Sequence, residues 1–81
     1  MENTYHQLAD LILTQGIVRS EALQPMADLR QDLAYRPSDI AELVILTERE
    51  LHLAIPSEDY HRFTTLYEAS KYIKEKLQES A

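Results

Sequence analysis

Eighty-one residues carrying fourteen acidic and eight basic side chains, a formal charge of −6 and no cysteine describe one small acidic domain. The missing thiol excludes disulfides, thiolate metal sites and a cysteine nucleophile, and the charge disfavours a nucleic-acid backbone or an anionic membrane as partner. A single glycine among abundant Leu, Ala, Glu and Gln predicts an all-α protein. No run approaches transmembrane length, and the opening MENTYHQLAD is polar and acidic where a signal peptide would be basic and then apolar. The expectation is a cytoplasmic protein with no membrane partner, acting as a monomer. Its charge suits a basic partner, or serves solubility alone.

From Asn3 to about Gln15, Tyr5, Leu8, Ala9, Leu11, Ile12 and Leu13 crowd one broad face, with a cap-competent Asn3 or Thr4 in front and Gly16 behind. That pattern predicts a first helix. Ser20 to Met26 reads as a connector anchored by Leu23, in which Pro25 discourages a long helix. Ala27 to Tyr35 continues it, with Leu29 and Leu33 spaced to reach the same core. The whole connector is expected to be an ordered loop with one helical turn.

Pro37 fixes the next boundary, because the residue before a proline is pushed out of the helical region while proline itself suits the first helical position. Ile40, Leu43, Val44 and Leu51 recur at helical spacing from there to Leu51 or His52. Asp39 and Glu42 fall in the first turns, where carboxylates favour the helix dipole. Leu53 and Ile55 then turn inward, Pro56 stops the run, and Ser57 can cap a short helix through Asp59, Tyr60 and His61 before Phe63 closes onto the core. Thr65 with Glu68 three residues on fits a capping box and predicts the last helix, with Leu66, Ala69, Tyr72 or Ile73, and Leu77 on its inner face. No segment alternates long enough to demand a strand.

Few side chains suggest chemistry. His6, His52 and His61 lack metal-ligand spacing, so no metal site is expected. The carboxylates Glu48 and Glu50, or Asp39 and Glu42, would need a walled pocket to work as an acid–base pair, and no catalytic residue is assigned. Tyr5, Tyr35, Tyr60, Tyr67 and Tyr72 are expected in the core and at its rim, because no basic groove accompanies them as a stacking platform.

The chain resembles the acyl carrier protein family along its length. Asp32-Leu33 stands for the start of the motif D-L-G-x-D-S-L-D and Asp39 for its last aspartate. Glu42-Leu43-Val44 stands for E-L-V, Glu48 and Glu50 for the acidic turn, and Ile55-Pro56 for I-P. Thr64-Thr65-Leu66 stands for T-T-V, and Ala69 with Tyr72-Ile73 for A-x-x-Y-I. The match from Asp32 to Ile73 needs no gap. The resemblance implies a four-helix bundle with three longer helices and one short third helix.

It also implies a cofactor, and there the sequence departs. Acyl carrier proteins attach phosphopantetheine through the serine of D-S-L, and in this register those residues are Arg36, Pro37 and Ser38. Proline has no hydroxyl. Sliding the motif to use Ser38 turns the attachment direction by about 100° and breaks the register on both sides.

In the family the acidic second helix docks on basic patches of carrier-dependent enzymes. By resemblance Asp39, Glu42, Glu48 and Glu50 serve that role here, with Ile45 or Leu46 as an exposed apolar contact and Arg49 interrupting the stripe; the plainer reading is a solvated helix face. Without the arm, the space that holds an acyl chain in the family is expected to fill with side chains. Two functions follow. One is a non-enzymatic, cofactor-free interaction module that docks on acyl-carrier-dependent enzymes or related assembly proteins. The other is an acyl carrier for fatty-acid or polyketide-type synthesis, modified at Ser38. A small nucleic-acid binder is disfavoured by charge.

Overall fold

The computed structural model of the chain describes residues 4–80. Three α-helices span Thr4–Gln15 (α1), Pro37–Leu51 (α2) and Leu66–Ser80 (α3), with 3-10 segments at Ser20–Ala22 and Ser57–Arg62. Among the described residues there is no strand, and the two long connectors meet in an isolated antiparallel bridge between Asp28 and Thr65. α1 packs mainly against α3 and also against α2, while the second 3-10 segment lies on α2 and α3. The all-helical class is therefore observed. None of the helices among the described residues is long and apolar enough to cross a membrane.

α1 turns a narrower face inward than its composition predicts. Leu8, Leu11 and Ile12 are buried and Tyr5 packs beside them, but Leu13 is exposed, because one helical step of about 100° carries it past the edge of the stripe. The proposed cap Asn3 lies outside the described residues, and Thr4 is a buried residue within the helix. Gly16 ends it with φ of 77°, donating its amide to Leu13 O at 3.0 Å, a left-handed conformation that glycine adopts without a Cβ clash.

The single helical turn expected in the connector is the 3-10 segment at Ser20–Ala22, and Leu23 is half-buried against the core. The remainder is held by two aspartates. Asp28 Oδ1 accepts the amides of Arg30 and Gln31, both at 2.9 Å, and Asp32 Oδ2 accepts the Asp28 amide at 2.7 Å. These local bonds replace the helix ladder and lower Leu29 and Leu33 into the core.

Ser57 does not cap the short segment. Pro56 occupies the capping position in extended conformation, no side chain caps it, and the turn closes through the Asp59 amide on Pro56 O at 2.9 Å. The segment runs to Arg62, one residue beyond His61. At the start of α3, Thr65 Oγ1 accepts the Glu68 amide at 3.0 Å, and among the described residues no bond returns from the Glu68 carboxylate to Thr65, so half of the expected capping box forms. Phe63, Leu66 and Ala69 are buried, and both Tyr72 and Ile73 join them where one was expected; Leu77 is half-buried.

Candidate functional site

The second helix and its two ends concentrate the side chains that the sequence singles out. At its front, Arg36 is extended (φ −87°, ψ 165°), as a residue before proline must be, and Pro37 begins α2 where its missing N–H leaves nothing unsatisfied. Asp39 reaches back from the first turn. Its Oδ2 accepts the Arg36 amide at 2.9 Å and the Arg36 Nε at 3.3 Å. The amide, and then the guanidinium, hold the Asp39 carboxyl below the usual aspartate range.

Ahead of Arg36 the chain makes a tight bend. Ala34 has φ of 59°, the left-handed region, which lets the Tyr35 amide reach Leu29 O at 2.8 Å and sends the Tyr35 ring into the core. The Tyr35 hydroxyl donates to Gln15 Oε1, at the end of α1. Gln15 Nε2 in turn donates to Asp39 O and Glu42 Oε1, both at 3.1 Å. Burial first, then the Asp39 and Glu42 carboxylates, push the Tyr35 phenol well above its usual range, so it stays a donor.

The rear of α2 closes differently. His52 takes φ of 56°, and its amide and that of Leu53 both point to Glu48 O, a left-handed helix terminus without glycine. Glu48 Oε2 accepts the Ile55 amide at 2.7 Å, pinning the strand-like stretch before Pro56. Ile55 is buried.

Ile40, Leu43, Val44 and Thr47 face the core, and the Thr47 hydroxyl is satisfied by Leu43 O at 2.8 Å. The docking residues named from the sequence separate into groups. Asp39 and Glu48 are engaged with backbone amides, and Leu46 packs half-buried on the core. Glu50 is exposed and borders a small surface hollow with Gln7, Asp10, Leu11 and Thr14 of α1. Glu42 and Ile45 stand outward, Ile45 45 % exposed. At about 100° per residue, Ser38, Glu42, Ile45 and Arg49 form one exposed ridge opposite the core. Ser38 is in the first turn of that ridge, one step around from Pro37.

A separate open hollow of about 570 Å³ lies before α2, lined by Val18, Arg19, Glu21, Ala22, Asp32, Leu33 and Ala34. None of the sequence-named site residues lines it. Among the described residues no group of three or more His, Asp or Glu side chains could hold a metal ion. His61 Nδ1 donates to Glu58 O at 2.8 Å, a local turn bond.

Two features escaped the sequence. Gln15 joins three elements through one amide, and nothing in a single sequence marks a polar helix-end residue for that task. The Tyr72 hydroxyl donates to Asp59 Oδ2 at 2.6 Å under the Arg62 guanidinium, 4.9 Å from the ring centroid. Burial and the bond to Asp59 raise the Tyr72 phenol, so this donor too stays protonated. An exposed-looking turn aspartate gave no hint of that partner. No protein-family model matches the sequence.

Proposed function

We propose that the chain is a non-enzymatic interaction module built on an acyl-carrier-protein-like four-helix frame, docking a basic partner surface through the outward ridge of α2. The observation that carries this reading is Pro37. It is the first residue of α2, where the gapless match places the serine that bears phosphopantetheine, and its ring offers no oxygen for the phosphodiester. The chain does not fit the cofactor at that position.

Other features support the same frame. Ala34, at the position of the glycine in D-L-G-x-D-S-L-D, has the positive φ for which that glycine is suited. The short segment follows Ile55-Pro56, and α3 follows Thr64-Thr65. Glu42 and Ile45 supply a carboxylate and an apolar contact side by side on the exposed ridge ahead of Arg49, the pairing a basic partner with an apolar centre would use.

The exposure of Ser38 beside Glu42 and Ile45 favours one second reading: a carrier modified at Ser38. Intact mass after incubation with coenzyme A and a broad-specificity phosphopantetheinyl transferase separates the two. An unchanged mass is expected; a gain of one arm, abolished by Ser38→Ala, overturns the cofactor-free reading. Docking is tested by competition. The chain should displace an acyl carrier protein from a carrier-dependent synthase, Glu42→Lys should lose that ability, and failure of the unaltered chain to compete would remove the docking proposal.

A further inference from the structure

A second binding surface lies across the bundle, with the opposite charge. Tyr5 of α1, Pro25 of the connector, and Tyr67, Lys71 and Lys74 of α3 line a groove of about 320 Å³ that Thr4 and Ser70 complete. Tyr67 is 48 % exposed although its amide is fixed to Pro25 O at 2.8 Å, so an aromatic ring is held at the surface by an ordered backbone. Tyr67, Lys71 and Lys74 follow one ridge of α3 at i, i+4 and i+7. Elsewhere on or beside α3 the cations are compensated: Arg62 pairs with Glu75 at 3.5 Å and Lys76 with Glu79 at 3.4 Å. Among the described residues Lys71 and Lys74 form no ion pair and no acidic side chain lines the groove. In a chain of charge −6, two lysines one turn apart beside the exposed Tyr67 ring, neither in an ion pair among the described residues, give this groove a cationic rim.

We infer that this groove binds an acidic peptide segment carrying an apolar side chain, the apolar group seated between Tyr5, Pro25 and Tyr67 and the flanking carboxylates on Lys71 and Lys74. A basic segment would meet the two ammonium groups, and a neutral apolar one would leave them without partners. An acidic segment satisfies both, and aromatic rings with one apolar and one wet side suit a half-exposed contact. The chain then has two candidate faces, the α2 ridge on which Glu42 and Ile45 stand beside Arg49 and a lysine-bearing aromatic groove between α1 and α3. The groove does not depend on the α2 reading, since the two surfaces share no residue.

The test is a titration of the ¹⁵N-labelled chain with a peptide of alternating Glu and Leu, beside a Gln-for-Glu control and decanoate. Saturable shifts at the amides of Tyr5, Tyr67, Lys71 and Lys74 are expected for the acidic peptide. The double variant Lys71→Glu with Lys74→Glu should weaken binding about tenfold or more, since it converts attraction into repulsion at both rim positions. Both side chains are exposed, and an unchanged helical circular dichroism spectrum verifies the fold. Glu42→Lys should leave these shifts unaltered. Absence of saturable groove shifts, equal binding of the Gln control, indifference to the double lysine variant, or binding of decanoate with the acidic peptide silent would each overturn the inference.

Discussion

The two ends of α2 solve one problem in opposite ways. Each end presents a backbone amide that needs a partner and a residue in the left-handed region that is not glycine, Ala34 before the helix and His52 after it. Each uses a carboxylate from within the helix, Asp39 reaching back to Arg36 and Glu48 reaching forward to Ile55. The front, however, is hydrogen-bonded sideways to α1 through Gln15 and Tyr35, whereas the side-chain bond at the rear, from the Ile55 amide to Glu48, runs to the helix's own continuation. The front is thus a tertiary joint and the rear a local stop. The front is also where the proposed carrier-like register sets Pro37 in place of the motif's serine.

The sharpest way to probe that contrast is to restore the motif at the front. Arg36→Asp with Pro37→Ser should convert the chain into a substrate for a phosphopantetheinyl transferase, read as an all-or-none mass gain; an unmodified double variant with native circular dichroism would argue against the carrier frame. Next in size is Gln15→Ala. It strands the buried Tyr35 hydroxyl and removes the tie to Asp39 O, at an expected cost of about 1–3 kcal/mol in urea unfolding. Glu48→Ala should cost less, about 1–2 kcal/mol, because only the Ile55 amide loses its partner and the stretch can move toward water.

Smaller effects test the strained residues. Ala34→Gly and His52→Gly should each stabilise by about 0.5–1 kcal/mol, since relief of the left-handed Cβ clash exceeds the added unfolded-state freedom. Equal gains at both would show that the bends are independent of the tertiary joint. The smallest expected effect is on pH dependence. Asp39 has a lowered folded pKa, so its contribution is present above the ordinary aspartate value and is lost as pH falls through that value toward the folded one. Stability of Asp39→Asn should therefore lie below that of the parent at neutral pH and converge with it below about pH 4. A gap that stays constant into acid would mean the charge is not what stabilises the turn.

Much of this architecture is legible in the sequence where one residue type permits one answer. Pro37 and the spacing of Ile40, Leu43 and Val44 locate α2, Gly16 ends α1, and Thr65 opens α3. The site is less legible. Asp39 and Glu48 read as surface charge because sequence cannot show a carboxylate folding back onto an amide a few residues away. Ala34 and His52 gave no sign of positive φ because glycine and asparagine usually signal it. Leu13 reads as inward-facing because a continuous apolar run does not reveal where a helix face ends. Pro56 displaced Ser57 as the capping residue because the turn closes on the proline carbonyl instead of a hydroxyl.

The bridge between Asp28 and Thr65 has a kinetic consequence. Leu29 donates to Thr64 O at 2.8 Å, Leu66 to Ala27 O at 3.1 Å and Tyr67 to Pro25 O, so two segments distant in sequence are buttoned together around everything from the connector to the second 3-10 segment. Closing so long a loop carries an entropic cost that contacts within a single helix do not. Once closed, it makes α2 the middle of a ring, so that loosening either end of the helix leaves the ring shut. The amides of Leu29, Leu66 and Tyr67 should then exchange with solvent deuterium only when the whole domain opens, as slowly as those at the centre of α2.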